Sequence, residues 1–306
     1  MAMQTPHNKD TIALVSGGGG FIGSHLVDIL LKQDYEVRVI DNFSTGRESN
    51  LKQHYNNSKL KIEKIDINSL KKKNKIFKDV NLVFHLAGIG EIVPSIEEPM
   101  SYITTNVIGT TKMLEASQNN LVNKFIYAAS SSCYGSAATP TNEDHPIQTE
   151  YPYALSKYLG EQTALHWCKV YKLPVLSMRI FNAYGPRVRT TGSYGAVFGV
   201  FLKQKLSNKP LTIVGSGKQK RDFLYVTDVA NAFYKAAISE YKNEIFNLGA
   251  GNPKTILYLA DLISTEKVFI PERPGEPDCT WANISKITKN LGWKPKTYVL
   301  DWLSSQ

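Results

Sequence analysis

Near its start the chain combines a short apolar strand, a glycine-rich turn and an amphipathic helix. The β-branched run Thr11–Val15 predicts a buried strand, and the apolar spacing over Ser24–Leu31 predicts a helix. Between them lie Gly17, Gly20 and Gly23. Strand, glycine turn and helix in this order restrict the chain to folds in which a helix N-terminus stands at the end of a parallel strand.

Such a turn is suited to holding a dinucleotide. Gly17 and Gly20 would let the backbone approach a pyrophosphate, and Gly23 would let the helix pack on the strand, with the helix N-terminus facing the anion. A merely flexible turn is the alternative, but both flanks favour the dinucleotide interpretation. Phe21 and Ile22, inside the turn, are counted with the predicted cofactor-binding residues.

A second predicted strand, Glu36–Asp41, ends in an acid 18 positions after Gly23. A carboxylate at this place accepts hydrogen bonds from the adenosine ribose and repels a 2′-phosphate, which favours NAD over NADP. The alternative is an aspartate that closes a turn or caps a helix. The loop that follows adds three candidate cofactor contacts, namely Asn42, Ser44 and Gly46.

Further strand-like runs follow at Leu60–Ile65, Val80–Phe84 and Lys124–Ala129, with helical segments between them. This alternation predicts an α/β fold with a doubly wound parallel (Rossmann) sheet, whose ligands bind at the carboxyl ends of the strands. His85 is expected to be a core histidine. The residues placed for cofactor contact at these strand ends and in the next helix are Asp66, Ile67, Leu86, Ala87, Gly88 and Asn106.

A tyrosine and a lysine, Tyr153 and Lys157, stand four positions apart in a predicted helix. Residues at this spacing share a helical face, so the ammonium is expected to lower the pKa of the phenol from about 10 toward working pH. An activated phenol is a general acid and base. Taken alone, the spacing also occurs by chance on surface helices, and the serines at Ser130–Ser132 could be turn residues only.

Composition excludes several other classes of protein. The 306 residues carry a net charge of +9, but the lysines are scattered and no nucleic-acid motif accompanies them. No apolar run reaches the ~18 residues of a membrane span. Three widely spaced cysteines predict neither a disulfide framework nor a metal site, and a reducing cytoplasm is expected. Residues 1–10 are expected to be a tail.

These motifs occur in the order found in extended short-chain dehydrogenases/reductases. The blocks Arg179–Pro186, Arg221–Asp228 and Phe246–Gly249 also match that family, and the chain most resembles its nucleotide-sugar 4-epimerases. The resemblance implies bound NAD, a UDP-hexose or UDP-N-acetylhexosamine as substrate, and a redox-neutral inversion at C4 through a 4-keto sugar. Ser130, Tyr153 and Lys157 match the catalytic residues of the family.

The resemblance also implies a substrate site and an assembly. Asn182, Arg221 and Arg273 match residues that grip the nucleotide diphosphate, as suits guanidinium groups. Thr280 matches a position that gates N-acetylated sugars, and a helix pair at about 100–117 and 154–171 implies a homodimer. The remaining predicted substrate residues are Ser131, Ser132, Ala196, Val197, Thr212, Val214 and Glu276.

The expected domains are a cofactor domain and a smaller C-terminal substrate domain. Residues 11–185 would form the cofactor domain, with 236–264 returning to it; residues 186–235 and 265–306 would form the substrate domain.

Related activities remain as alternatives. Ser131 and Ser132 stand where the dehydratases carry an acidic pair and the decarboxylases a glutamate, so elimination of water or CO2 is disfavoured. A 4-keto reductase would use the same catalytic residues, and a dinucleotide-sensing binding module is the alternative outside enzymes.

Overall fold

The computed structural model of the protein describes residues 11–189, 197–272 and 277–299. Its strands are β1 (Ile12–Ser16), β2 (Glu36–Asp41), β3 (Leu60–Lys64), β4 (Leu82–His85), β5 (Lys124–Ser130), β6 (Val175–Ile180), β7 (Asn182–Tyr184), β8 (Leu211–Val214), β9 (Lys220–Arg221), β10 (Phe223–Tyr225), β11 (Glu244–Leu248), β12 (Lys254–Thr255) and β13 (Lys267–Ile270). Its α-helices are α1 (Phe21–Lys32), α2 (Ile92–Glu97), α3 (Pro99–Ile103), α4 (Thr110–Asn119), α5 (Pro152–Tyr171), α6 (Val197–Leu206), α7 (Val226–Ile238), α8 (Ile256–Ile263) and α9 (Ser285–Leu291).

Seven of these strands form one parallel sheet in the order β11-β6-β5-β4-β1-β2-β3. The order reverses at β1, which lies between β2 and β4. Ligands of doubly wound sheets bind at such a reversal, outside the carboxyl ends of the strands. The sheet confirms the predicted fold class, and it brings the ends of β1, β2, β4 and β5 to one edge.

The two faces of the sheet are covered by different helices because strand side chains alternate between faces. Val15 and Phe84 point toward α1 and α7. Leu14 and Phe125 point toward α4 and α5. Both sets are fully buried. The sheet is thus packed on both faces, which suits an edge that must hold side chains in place.

A third apolar cluster lies beyond the edge of the sheet. Phe198 and Phe201 of α6 pack there with Leu211, Ile213 and Leu259. Three two-stranded pairings support this region, joining β7 to β10, β9 to β12 and β8 to β13. One of its strands, β7, begins just after the carboxyl end of β6.

The helix predicted to contain Asn106 begins well before that residue. Pro99 starts α3, and residues Thr104–Gly109 form a π-helical turn that leads directly into α4. Proline at a first helical position is a start signal, whereas a wider turn within a helix leaves no clear pattern in the sequence. Across the described ranges, no helix is both long and apolar enough to cross a membrane.

Candidate active site

The glycine turn is shaped by close contacts with backbone. Gly17 has φ +72, and a Cβ there would lie 2.7 Å from the backbone nitrogen of Ala87. A Cβ on Gly23 would overlap the carbonyl oxygen of Gly17. Gly20 precedes α1 without a side-chain cap, and the first turn carries no acid. The N–H groups that begin α1 therefore form a cradle that fits a pyrophosphate.

Asp41 ends β2 beside this turn. Its carboxylate accepts hydrogen bonds from the backbone N–H groups of Gly19 (2.9 Å) and Phe43 (2.8 Å). Burial raises the pKa of Asp41, and those two hydrogen bonds oppose the rise. The residue thus closes a turn, as the alternative interpretation held, and each oxygen keeps a lone pair suited to a ribose hydroxyl.

The loops after β2 and β3 are joined where an adenosine would lie in such a fold. The amide of Asn42 donates to Asp66 (3.1 Å), and the backbone N–H of Ser44 donates to Asn42 (3.0 Å). Asp66 also caps the short 3-10 turn Ile67–Ser69. A Cβ on Gly46 would lie 2.8 Å from the Asp41 carboxylate. The predicted cofactor residues of this region therefore share one surface.

Asn106 fixes the segment that follows β4. Its side chain exchanges two hydrogen bonds with the backbone of Ile89 (2.8 and 3.0 Å) and donates to Ser156 of α5 (2.9 Å). A Cβ on Gly88 would lie 2.8 Å from the Asn106 amide oxygen. The loop Leu86–Gly88 is therefore held between β1 and α5, the position expected for contact with a cofactor.

His85 is a core histidine, as predicted. Its ring nitrogens contact the hydroxyls of Ser16 (2.7 Å) and Thr110 (2.9 Å). Burial, together with the positive charge of Lys157, lowers the pKa of His85 to about 3. The ring is therefore neutral at pH 7.

Tyr153 lies near the turn that follows β5, here called the serine turn (Ser130–Tyr134). Ser130 ends that strand and accepts a hydrogen bond from the backbone of Ser132 (3.2 Å), and the two hydroxyls are 3.0 Å apart. Both serine side chains lie close enough to the phenol of Tyr153 to lower its pKa. The ring of Tyr102 stands edge-on to Tyr153, with centroids 6.4 Å apart. The serines thus serve as turn residues and as partners of the phenol.

The expected effect of Lys157 on Tyr153 is wrong for this structure. Burial raises the pKa of Tyr153, and the hydrogen bonds that oppose the rise come from Ser130 and Ser132. The Lys157 ammonium lies over the ring of Tyr127, 4.6 Å from its centroid. Sharing a helical face was not sufficient, because desolvation is the largest effect on the pKa of the phenol.

Burial of the Lys157 ammonium lowers the free energy of unfolding of the protein at neutral pH. Burial lowers its pKa to about 8, and the negative charge of Glu161 opposes that change. A lysine whose pKa falls on folding destabilises the native state below the folded pKa. This penalty disappears as pH rises from about 8 toward the ordinary value of about 10.5.

Lys157→Met is therefore expected to stabilise the cofactor-free protein. At pH 7 its free energy of unfolding should exceed that of the wild type by roughly 1–3 kcal/mol, because one buried charge is removed. The difference should shrink at pH 10. Urea unfolding at the two pH values measures it, and a variant less stable than wild type at pH 7 would contradict the assigned burial cost.

Some of the predicted substrate residues lie near the carboxyl end of β6, the strand next to β5. Ser130 pairs with Ile180, and Asn182 follows two residues later. Its amide donates to the hydroxyl of Thr280 (3.0 Å). The guanidinium of Arg221 donates to the carbonyl of Pro277 (2.8 Å). Asn182, Arg221 and Thr280 thus form one group beside the serine turn.

The other predicted substrate residues are less closely tied to this group. Thr212 exchanges hydrogen bonds with Gln204 (2.7 and 3.1 Å), so its polar atoms are engaged within the third cluster. Val214 ends β8 and Val197 begins α6, both partly exposed. Ser131 is partly exposed in the serine turn. Ala196, Arg273 and Glu276 lie outside the described residues.

Several polar residues at the site were missed in the sequence. Asp222, beside Arg221, is fully buried and accepts hydrogen bonds from the backbone of Ala250, Gly251 and Ala282. Glu161 and Arg179 form a buried ion pair behind Lys157 (2.6 Å). In the sequence, Asp222 is an acid within the matched block Arg221–Asp228, and Glu161 is a glutamate four positions after Lys157. These were the signals by which the two acids could have been found.

Comparison with known proteins identifies the class. The model of the NAD dependent epimerase/dehydratase family matches residues 13–249. A UDP-glucose 4-epimerase of Mycolicibacterium smegmatis is 32% identical over 301 residues, covering 95% of this chain and 96% of the relative.

Solved structures extend the likeness to the whole fold. A UDP-N-acetylglucosamine 4-epimerase from Methanobrevibacter ruminantium M1, in complex with UDP-N-acetylmuramic acid, superposes with TM-score 0.91 at 33% identity, covering 97% of this chain and 98% of that one. A UDP-glucuronic acid 4-epimerase from Bacillus cereus, in complex with UDP-glucuronic acid and NAD, gives 0.89 at 33% identity, covering 96% and 97%.

The chain belongs to the NAD-dependent epimerase/dehydratase family. The predicted family, its dependence on NAD and the main functional prediction of a nucleotide-sugar 4-epimerase are confirmed at this level.

Proposed function

We propose that the protein inverts C4 of a nucleotide-diphosphate sugar, with UDP-hexose or UDP-N-acetylhexosamine as the favoured substrate. The observation that carries this proposal is the Tyr153 phenol placed beside the hydroxyls of Ser130 and Ser132, on a turn without an acid. A phenol and two hydroxyls can move one proton on and off a sugar hydroxyl. That is the acid–base chemistry an epimerase needs at C4.

The cofactor site is assigned to residues that fit the parts of NAD. The cradle at the start of α1 suits the pyrophosphate, Asp41 suits the adenosine ribose, and Lys157 suits the nicotinamide ribose. When bound, NAD supplies a hydride acceptor and donor for the sugar C4. We propose that the remaining predicted contacts also hold NAD.

The protein's own residues handle the proton. Tyr153 as phenolate takes the proton of the C4 hydroxyl, and Ser130 holds the same oxygen by a hydrogen bond. Tyr153 later returns the proton after the 4-keto sugar has turned its opposite face. Because the free phenol has a raised pKa, we expect the proton to leave Tyr153 only with cofactor and substrate in place.

The substrate assignment follows from the polar group beside the serine turn. Asn182, Arg221 and Arg273 are proposed to hold the diphosphate, because guanidinium groups suit phosphate oxygens. Thr280 is small enough to leave room for an acetamido group. The other proposed substrate contacts are Ser131, Ser132, Ala196, Val197, Thr212, Val214 and Glu276.

A panel of UDP-, GDP-, CDP- and dTDP-sugars tests the activity. The purified protein is incubated without added cofactor, and the products are analysed by NMR. We expect a C4-inverted UDP-sugar at constant total NAD. Loss of water or of CO2 would indicate the dehydratase or decarboxylase class. A strict need for added NAD(P)H would indicate a reductase, and NAD binding without turnover a sensing module.

We propose two domains and a cytoplasmic location. Residues 11–185 form the cofactor domain. Because α7 packs against α1 and α8 packs in the third cluster, we now place 226–249 with the cofactor domain and 256–263 with the substrate domain. These bounds differ from those expected at first, since helical spacing does not reveal which core a helix joins.

The protein is also proposed to form a homodimer through α3, α5 and the π-helical turn between α3 and α4. Large apolar side chains are exposed along these adjacent segments, which pack on one another, namely Met100, Ile108, Leu155 and Leu159. An apolar face of this kind is typical of a subunit interface. Two copies related by a two-fold axis would pair it with itself.

Leu159→Glu is expected to convert the dimer to a monomer, because it would place two carboxylates in an apolar interface. Analytical ultracentrifugation measures the mass. Leu206→Glu is the matched control, since Leu206 is also exposed but lies on α6, and it should leave the dimer intact. A wild-type monomer, or a Leu159→Glu dimer of unchanged affinity, would contradict this interface.

A further inference from the structure

A buried ion pair joins α5, the helix that carries Tyr153 and Lys157, to β6. Glu161 is one helical turn beyond Lys157, and its carboxylate accepts from Arg179 Nε (3.0 Å), from Arg179 Nη2 (2.6 Å) and from the hydroxyl of Ser177 (2.7 Å). The side chains of Glu161 and Arg179 are 1% and 3% exposed. A bidentate pair this deeply buried fixes the distance between α5 and β6 closely.

The same guanidinium reaches the serine turn. Arg179 Nη1 donates to the hydroxyl of Tyr134 (2.8 Å), which donates to Asn247 (2.7 Å). Tyr134 is the last residue of the turn Ser131–Tyr134 that follows Ser130. One arginine therefore connects the helix that carries Tyr153 to the turn that carries its hydroxyl partners.

We propose that Glu161 and Arg179 are positioning residues, which hold the helix of Tyr153 and Lys157 in register with the turn of Ser130 and Ser132. The inference rests on the proposed function, because it assigns those four residues to the reaction. It adds a pair of residues outside the site, neither of which needs to touch substrate or cofactor.

Glu161 has a second effect, on charge. The groups that face Lys157 are His85 from β4, Tyr127 from β5, and Tyr153 and Glu161 from α5 itself. Of these, His85 and the tyrosines are neutral at pH 7, because burial lowers the pKa of the first and raises those of the others. Glu161 is thus the negative charge among them, and it opposes deprotonation of Lys157.

Glu161→Gln tests both effects. We expect kcat to fall by roughly 10- to 100-fold with KM nearly unchanged, since small misplacements of reacting groups have effects of this size. The alkaline limb of the kcat profile should move to lower pH, because Lys157 loses its proton more easily. Glu161→Asp retains the charge and should return the limb toward its original pH.

A double variant separates positioning from stability. Glu161→Gln alone leaves the buried Arg179 charge unpaired and could unfold the protein, whereas Glu161→Gln with Arg179→Met removes both charges. The double variant should regain thermal stability but keep a low kcat. Full recovery of kcat together with stability would overturn the proposal, as would a folded Glu161→Gln variant with wild-type kcat and an unmoved limb.

The control is Lys124→Met. Lys124 is another buried charge, at the opposite end of β5 from Ser130, and burial also lowers its pKa to about 8. Its removal should leave the alkaline limb in place.

A readout independent of turnover is the NMR titration of Lys157 in protein labelled with ¹⁵N-lysine. Its midpoint should fall in Glu161→Gln and not in Lys124→Met; an unmoved midpoint would overturn the effect on charge. If the Lys157 midpoint falls in Glu161→Gln as expected but the wild type epimerises no sugar, the proposed function fails. The effect of Glu161 on the charge of Lys157 then still stands.

Discussion

Replacing Tyr153 with phenylalanine is expected to lower kcat by about 10²- to 10⁴-fold, the usual contribution of a positioned general acid and base. The aromatic ring and its edge-on contact with Tyr102 would remain. Only the oxygen that meets Ser130 and Ser132 would be lost. Binding of NAD, measured by calorimetry, should therefore stay within a few-fold of wild type.

Tyr171→Phe provides the matched control for this experiment. Tyr171 ends the same helix but is exposed, far along α5 from Tyr153. Its phenylalanine variant should keep kcat within about two-fold of wild type, as expected for an exposed residue away from the site. If Tyr153→Phe retained most of the wild-type kcat, the proton transfer assigned to Tyr153 would have to belong to another group.

Replacing Asp222 with alanine should cost several kcal/mol of unfolding free energy. Its carboxylate is fully buried and accepts from the backbone of Ala250 (2.8 Å), Gly251 (3.1 Å) and Ala282 (2.9 Å). Each buried donor left without a partner costs about 1–3 kcal/mol. Urea unfolding measures the loss, which we expect to reach at least ~3 kcal/mol.

Two further variants serve as controls for the Asp222→Ala result. Asp222→Asn keeps the shape and one acceptor oxygen, so its loss should be smaller than that of the alanine variant. Asp261→Ala removes an exposed carboxylate paired with Lys267 and should change stability by less than about 1 kcal/mol. If Asp222→Ala proved no less stable than Asp261→Ala, Asp222 would not be the anchor of these three segments.

Local sequence signals were sufficient for the sheet and the glycine turn. Gly17 and Gly23 each stand where a side chain would collide with backbone, so glycine marks these positions directly. Asp41 and Ser130 were found for a related reason, because each ends a short apolar strand and parallel strands bring such ends to one edge.

The polar network behind the site could not be predicted from local patterns. Glu161 and Arg179 are 18 residues apart, on a helix and a strand, and only packing of α5 on the sheet brings them together. A lone glutamate on a helix is more often solvent-exposed than buried. The raised pKa of Tyr153 was missed for a similar reason, since desolvation depends on burial that spacing does not report.

The pairing of distant strands was equally hidden. β8 pairs with β13, which follows more than 50 residues later along the chain. The third cluster joins α6, β8 and α8 across three separate stretches of sequence. The sequence pattern of a helix or strand reveals that it has an apolar side, but not which other helix or strand that side packs against. Neither the β8–β13 pairing nor the third cluster could therefore be predicted from periodicity.

The most direct test follows one hydrogen atom through the reaction. A UDP-sugar carrying deuterium at C4 is converted in ordinary water without added cofactor, and the product is examined by NMR. Because the hydrogen is expected to leave and return to the same carbon, the product should be inverted at C4 and still carry the deuterium there. Loss of deuterium to solvent, or no inversion until reduced cofactor is supplied, would contradict the proposed redox-neutral epimerisation.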